Sequence, residues 1–212
     1  MEKTLYIVRH GETDFNRQNI VQGSGVDSSL NILGQTQAQH FYQAYKDFPF
    51  QKIYISKLKR TEESVASFIK ENIPFEKLEG LNEISWGKYE GKSHTLEFEQ
   101  EYQQRVIDWK NGLWDLPISE GETPLQLHLR QKEALQHILS KPEEKHVLIC
   151  MHGRALKAFI CLLLNIPLSH MDDYEHRNLG LYVFEWKDGG FNMLVKNDAK
   201  HLAGVDVVND LT

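Results

Sequence analysis

Two histidines and two arginines of this chain stand where runs of apolar residues end. Arg9 and His10 follow one such run, His152 follows another, and Arg60 lies just after a third. A neutral imidazole has a lone pair that can attack an electrophile near neutral pH, and a guanidinium offers a planar fork of donors that matches phosphate oxygens. If these four side chains meet, they can bind a phosphoryl group and attack it.

The four residues lie at junctions between predicted strands and predicted helices. The strands are residues 5–8, 52–56 and 146–151, and their apolar and β-branched residues are typical of strands buried on both faces. Gly11 and Gly153 follow the two histidines, and Gly11 permits a tight turn. Ligands of open α/β sheets bind at the carboxyl ends of the strands. We therefore expect the junctions to converge on one sheet edge, with helix N-termini directed at the site.

Other patterns predict the elements between these junctions. Apolar residues at helical spacing predict helices over residues 36–48, 58–69, 95–113, 123–139 and 154–164. Further strands are predicted at 75–78, 179–186 and 191–196, the last two as a hairpin around the Asp-Gly-Gly turn. Thr13 is expected to begin a short helix, and the stretches 19–32 and 81–91 are expected to be loops.

Length and composition are typical of one globular α/β domain. The 212 residues are 41% hydrophobic and carry a formal net charge of -6. A sizeable core is therefore expected, whereas a basic face for nucleic acid or a membrane surface is not. We expect residues 1–202 to form the domain, with about 86–122 as a cap or substrate region and 203–212 as a polar tail.

The cysteines and the apolar segments indicate a cytoplasmic location. Cys150 and Cys161 lie in apolar runs without metal-ligand spacing and are expected to be reduced and buried. We expect no signal peptide, since the first strand begins almost at residue 1. The longest apolar segment, 155–164, is too short to span a bilayer.

Three motifs around these residues resemble those of one known family. Residues 9–13, Arg-His-Gly-Glu-Thr, resemble the R-H-G-E-T signature of the histidine phosphatase superfamily, the phosphoglycerate-mutase-like enzymes. Residues 56–61 resemble the family's S-x-L-x-R-(A/T) segment, and residues 81–91 its L-x-E-x-x-x-G-x-x-E-G element. The resemblance extends over about residues 5–202. It implies a three-layer α/β/α sandwich with a mainly parallel central sheet.

The resemblance also implies a role for each site residue. In the family the signature histidine, here His10, is the nucleophile that becomes phosphorylated. The matching Arg9, Arg60 and His152 would stabilise the charge on the phosphoryl group. Glu83 matches the family's proton donor. The substrate- and phosphate-binding residues are expected to be Gly11, Asn16, Gln22, Gly23 and Gly153.

We expect a metal-independent phosphatase that acts on small phosphomonoesters through a phosphohistidine. The alternatives are a mutase-type phosphoryl transfer and a non-catalytic domain that binds a phosphorylated ligand. The region after Glu83 lacks the arginine-rich insertion that the cofactor-dependent phosphoglycerate mutases have, which argues against a mutase. A binding domain would be favoured if a catalytic position were lost, but each one is occupied.

No metal ion and no other cofactor is expected. A divalent ion held by His10, His152 and Glu83 would be repelled by the neighbouring arginines. The expected partner is a small phosphorylated metabolite, and the sequence predicts no oligomeric state. Taken singly, a strand-end histidine, a helix-surface arginine or an acidic loop residue is usually structural or solvated. Only their combination favours a site.

Several nearby residues have two interpretations. Arg154 stands where the family commonly has a small residue, and it either contacts a substrate anion or points to solvent. Three lysines either favour substrates with a second acidic group or belong to a solvated surface: Lys57, Lys88 and Lys92. Four aromatic residues either line a pocket or pack in the interior: Trp86, Tyr89, Trp109 and Trp114.

Overall fold

The described part of the chain contains a sheet of six strands. The computed structural model describes residues 2–205, so the predicted tail lies outside the described residues from 206 onward. The strands are β1 (Lys3–Arg9), β2 (Lys52–Ile55), β3 (Phe75–Lys77), β4 (His146–Met151), β5 (Leu181–Lys187) and β6 (Gly190–Asp198). Their order is β3-β2-β4-β1-β5-β6. The first four run parallel, and the predicted hairpin β5–β6 adds an antiparallel edge, so the mainly parallel sheet is confirmed.

The register of the parallel strands brings the predicted junctions side by side. Val8 of β1 is paired with Cys150 of β4, and Cys150 is paired with Ile55 of β2. The residues that follow these positions are therefore neighbours at one edge of the sheet: Arg9 and His10, Ser56, and Met151 and His152. The backbone N–H of His10 donates to the carbonyl of Met151 at 3.0 Å, which extends the pairing into the junction.

Most helices begin at side-chain caps that the sequence provides. They are α1 (Asp14–Arg17), α2 (Ile32–Tyr45), α3 (Lys59–Lys70), α4 (Leu96–Lys110), α5 (Pro124–Leu139) and α6 (Gly153–Leu164), with short 3₁₀ helices at Glu79–Leu81, Gly87–Tyr89, Leu168–Asp173 and Lys200–Leu202. Thr13 and Thr123 cap α1 and α5 with capping boxes. The second helix begins at Ile32 rather than at the predicted residue 36, because the side chain of Asn31 caps it.

Helices cover both faces of the sheet. Val147 and Ile149 of β4 belong to one core cluster, which includes Phe159 of α6, whereas Leu148 lies in a second cluster with Phe41 of α2. Residues of α4 and α5 join the first cluster, and residues of α3 join the second. The α/β/α layering is therefore confirmed.

Within residues 2–205, no helix combines the length and apolar character needed to cross a bilayer. Cys150 and Cys161 are buried and form no disulfide, as predicted. The division into a domain at 1–202 and a tail stays a prediction.

The turn after β1 packs against the start of α2. The side-chain oxygen of Asn31 accepts the N–H of Gly34 at 2.8 Å, and its amide donates to Glu12 Oε1 at 2.8 Å. A Cβ added to Gly34 would lie 2.0 Å from the carbonyl oxygen of Glu12. This close approach requires glycine and holds the backbone just after His10 in place.

We expect Gly34→Ala to lower the free energy of unfolding by about 2 kcal/mol, because the two backbone segments must separate to admit the methyl group. Urea denaturation at neutral pH measures the change. Gly190→Ala is the control, since a Cβ there meets no atom of residues 2–205 within 4 Å. Its effect should stay within about 0.5 kcal/mol. Equal effects of the two substitutions would contradict the proposed close approach.

Candidate functional site

A cavity opens at the carboxyl edge of the parallel strands. Its wall contains the predicted residues Arg9, His10, Asn16, Gln22, Arg60, Glu83 and Gly153. The remaining predicted residues lie behind the wall: Gly11, Gly23 and His152. The structure therefore brings the residues of the three junctions and of the 81–91 loop to one place.

The imidazole of His10 is held in a single tautomer. Its side chain is buried, and Nδ1 lies 2.7 Å from the carbonyl oxygen of Gly11. A carbonyl can only accept, so Nδ1 carries the proton and Nε2 keeps its lone pair. Burial, followed by the charges of Arg60 and Arg9, lowers the pKa of His10 well below 6.5. The ring is therefore a neutral base with a defined free nitrogen.

Arg60 and His152 form a buried pair behind this ring. Nε of Arg60 donates to Nδ1 of His152 at 3.2 Å, so the Nε2–H of His152 donates to Ser56 Oγ at 2.8 Å. The rings of His152 and His10 have centroids 5.1 Å apart. Burial first, and then Arg60, lowers the pKa of His152 well below 6.5. Both ring nitrogens of His152 are thus occupied, and this histidine orients Arg60.

The loop at 23–26 completes the coordination of Arg60. Its Nη1 donates to the carbonyl of Val26 at 2.6 Å and its Nη2 to the carbonyl of Gly23 at 3.3 Å. Glu90 holds this loop, because one of its carboxylate oxygens accepts the N–H of Gly25 at 2.7 Å and the other accepts the N–H of Trp86 at 2.8 Å. Burial lowers the pKa of Arg60 to about 10, which leaves the guanidinium charged at neutral pH.

Arg9 is positioned by a residue that the sequence patterns do not predict. Its Nη1 lies 3.2 Å from Nδ1 of His176, a buried histidine in the wall of the cavity. A Cβ added to Gly153 would lie 2.9 Å from the His176 ring, so glycine at 153 makes room for it. His176 lies in an irregular segment before β5, outside any motif or periodic pattern, and this is why sequence reasoning misses it.

Glu83 lies at the N-terminus of α6. Its Oε1 accepts the N–H groups of Ile84 and Ala155 at 2.9 and 2.8 Å, and its Oε2 accepts the N–H of Arg154 at 3.1 Å. The bonds from Arg154 and Ala155 satisfy free N–H groups of the first turn of α6. The carboxyl group is thereby fixed in the cavity wall, on a different element from His10.

The polar residues Asn16 and Gln22 face the cavity from α1 and from the loop that follows it. Asn16 Oδ1 accepts the N–H of Thr13 at 3.1 Å, and Gln22 Nε2 donates to Thr13 Oγ1 at 2.9 Å. The N–H of Gly11 donates to Ser64 Oγ at 2.9 Å, which leaves Gly11 as a support for the turn. Asn16 and Gln22 are therefore neutral amides at the rim of a cationic site.

The sequence matches a family model over most of its length. The model is described as the histidine phosphatase superfamily (branch 1), and it matches residues 5–199. The chain belongs to this superfamily. A relative of this chain in Serratia proteamaculans, named probable phosphoglycerate mutase GpmB, is 30% identical over 207 residues, 93% of this chain and 94% of the relative.

Solved structures share the fold. Bacillus stearothermophilus YhfR has a TM-score of 0.81 and 30% identity, covering 94% of this chain and 99% of that chain. A histidine-to-alanine mutant of the phosphoserine phosphatase from Entamoeba histolytica, in complex with phosphoserine, has a TM-score of 0.79 and 26% identity, covering 94% and 99% of the two chains. This chain is therefore a histidine phosphatase superfamily member, related to phosphatases and mutases that act on phosphate esters.

The cavity becomes aromatic away from the arginines. Phe98 and Tyr102 project from α4, Trp86 lies beside them, and His94 packs on Phe98 with centroids 4.6 Å apart. Phe15 continues this apolar wall from α1. Of the four aromatic residues left open above, Trp86 lines the cavity. The others lie in or against the core: Tyr89, Trp109 and Trp114.

The structure also separates Arg154 from the surface lysines. Arg154 is only 4% exposed and lines the cavity, so the interpretation that it points to solvent is wrong. The three lysines are exposed and absent from the wall, and two of them pair with acidic residues: Lys57 with Glu79 at 2.7 Å and Lys88 with Glu97 at 3.1 Å. These three lysines therefore belong to the solvated surface.

We expect His10 to protonate only well below pH 6.5, because burial and two arginines oppose the imidazolium. NMR titration of labelled histidine measures the midpoint. Arg60→Gln removes the larger of the two cationic effects and should raise the midpoint of the His10 titration. Lys57→Gln removes an exposed charge and should leave this midpoint unchanged. A wild-type midpoint at or above 6.5 would contradict the described environment.

Proposed function

We propose that this protein is a metal-independent phosphatase that hydrolyses small phosphomonoesters through a phosphohistidine. The observation that carries the proposal is the tautomer of His10: its Nδ1–H is bound to Gly11, so the lone pair of Nε2 is available beside two arginines. A neutral nucleophile leaves the arginine charge free to bind the phosphoryl oxygens.

In the first step, His10 Nε2 would attack phosphorus as the bond to the leaving oxygen breaks. Arg9 and Arg60 would bind the equatorial oxygens, and His152 and His176 would orient these two guanidinium groups. Glu83 in its protonated form would give its proton to the leaving oxygen, which departs as an alcohol. The product of this step is a phosphohistidine and a Glu83 carboxylate.

In the second step, water would replace the alcohol. Glu83 would take a proton from the water as its oxygen attacks phosphorus, and the P–N bond would break. Inorganic phosphate and neutral His10 result, so the cycle needs no external proton, metal ion or other cofactor. A small phosphorylated metabolite is the proposed substrate.

A mutase-type transfer is the second candidate, because a relative is named as a probable phosphoglycerate mutase. A mutase must retain its phosphohistidine until an acceptor alcohol binds, whereas a phosphatase admits water. Incubation with 3-phosphoglycerate distinguishes them: a phosphatase releases inorganic phosphate, and a mutase forms 2-phosphoglycerate.

We expect the wild type to hydrolyse para-nitrophenyl phosphate in the presence of EDTA and His10→Ala to lose roughly 10³-fold or more in kcat, because the nucleophile is gone. The control is His137→Ala, which removes a histidine that pairs with Glu76 at 2.9 Å, outside the cavity. Loss of wild-type activity on chelation would overturn metal independence. Full activity of His10→Ala would overturn the nucleophile.

If Glu83 is the proton donor, the loss of activity in Glu83→Gln should depend on the leaving group of the substrate. Para-nitrophenolate leaves without protonation, but an alkoxide does not. We therefore expect the loss in kcat/KM to be about 10²-fold or more for an alkyl phosphate and much smaller for para-nitrophenyl phosphate. Steady-state kinetics with both substrates measures the two losses. Equal losses would contradict a proton-donating role.

A further inference from the structure

A third buried arginine lies in the cavity wall, apart from the two that flank His10. Arg154 is the second residue of α6, and it is 4% exposed. The cations that most lower the pKa of His10 are Arg60 and Arg9. The guanidinium of Arg154 instead contacts Tyr102, in the aromatic half of the wall. If the phosphoryl group lies between Arg9 and Arg60, the leaving group would point to the aromatic half of the wall, where Arg154 lies.

The guanidinium of Arg154 is held rigidly. Its Nη1 donates to Asp172 Oδ1 at 2.8 Å, and its Nη2 donates to the hydroxyl of Tyr102. Its central carbon lies 5.4 Å from the ring centroid of Tyr102 and 5.6 Å from that of Trp109. Because the side chain is already ordered by these contacts, a ligand would not have to immobilise it.

Arg154 shares its carboxylate partner with a second cation. Lys157 Nζ donates to the same oxygen of Asp172 at 3.2 Å, so two cations share one carboxylate. Burial first, and then the charge of Arg154, lowers the pKa of Lys157 to about 8, as expected where cations are crowded. A guanidinium has five N–H donors, and Asp172 and Tyr102 take two of those of Arg154.

The backbone of Arg154 joins this cation to the proposed proton donor. The N–H of Arg154 donates to Glu83 Oε2 at 3.1 Å. If Glu83 protonates the leaving oxygen, the leaving group lies next to residue 154. An acid carried on that leaving group would meet a preorganised guanidinium in a wall of low polarity, where a charge-assisted hydrogen bond is strong.

We propose that Arg154 binds a second acidic group, a carboxylate or a second phosphate, on the leaving group of the substrate. The inference rests on the proposed function, because it uses the position of the leaving group beside Glu83. It assigns Arg154 to specificity: the substrates are small phosphomonoesters that carry another acid a few bonds from the ester oxygen.

The test measures binding by calorimetry in a His10→Ala background, so that no ligand is turned over. 3-Phosphoglycerate and glycerol 3-phosphate form a matched pair, in which a carboxylate replaces a hydroxymethyl group. We expect 3-phosphoglycerate to bind roughly tenfold more tightly than glycerol 3-phosphate, or more. Fructose 1,6-bisphosphate and fructose 6-phosphate form the corresponding pair for a second phosphate.

In the pair that shows a preference, Arg154→Met should bring the ratio of the two affinities close to one. Arg154→Lys keeps a positive charge and should give a ratio between those of Arg154→Met and the parent protein. Methionine fills a similar volume, and Lys157 still pairs with Asp172, so the fold should persist; thermal melting checks this. Lys57→Met removes an exposed cation that pairs with Glu79 outside the cavity wall and should preserve the ratio. A preference in either pair that depends on Arg154 supports the proposal and identifies the second acid.

No preference in either pair, or a preference that survives Arg154→Met, overturns the proposal. Wild-type hydrolysis of para-nitrophenyl phosphate, which has no second acid, tests the proposed function separately. If this ester is hydrolysed but no ligand with a second acid is preferred, only the proposed role of Arg154 is contradicted. If the preference depends on Arg154 but this ester is not hydrolysed, only the proposed phosphatase function is contradicted.

Discussion

The buried guanidinium of Arg60 connects three segments of the chain. It donates to Nδ1 of His152 after β4 and to the carbonyls of Gly23 and Val26 in the first loop, while its own backbone lies in the first turn of α3. A buried cation is costly unless its donors are satisfied, so these acceptors must stay in place. Two consequences follow: His152 is limited to one tautomer, and the cavity holds positive charge before any ligand enters.

The same charge explains why a neutral imidazole suits the position of His10. An anionic nucleophile would cancel the arginine charge that a phosphate dianion needs, and a cationic side chain would be repelled. Burial and the arginines keep His10 neutral, and the Gly11 carbonyl determines which nitrogen is free. The overall charge of -6 does not oppose this arrangement, since the positive charge is local: Arg9, Arg60 and Arg154 line the same cavity.

The convergence of the junctions was predictable because it depends on local patterns. An apolar run followed by His-Gly, or by a helix whose first turn carries Arg60, predicts both the element and the position of the side chain in it. The parallel register then brings these positions together. The phosphate end of the site follows from such patterns together with the family resemblance.

The leaving-group end was not predictable, because it depends on contacts between distant segments. His176 reaches Arg9 from an irregular loop, and the orientation of α4 decides that Phe98 and Tyr102 face the cavity while Trp109 packs inside. Periodicity shows that a helix is amphipathic but not which layer it meets. Arg154 is unusual in the sequence, yet only its burial against Tyr102 and Asp172 excludes the surface interpretation.

The most direct test of the account is to locate the phosphoryl group in the covalent intermediate. A rapid quench after mixing with substrate, followed by peptide mass spectrometry and ³¹P NMR, identifies both the residue and the ring nitrogen that carry it. The structure predicts phosphorylation of His10 at Nε2, because Nδ1 is bound to the Gly11 carbonyl. Phosphate on Nδ1, on His152 or on any other residue would contradict the central claim.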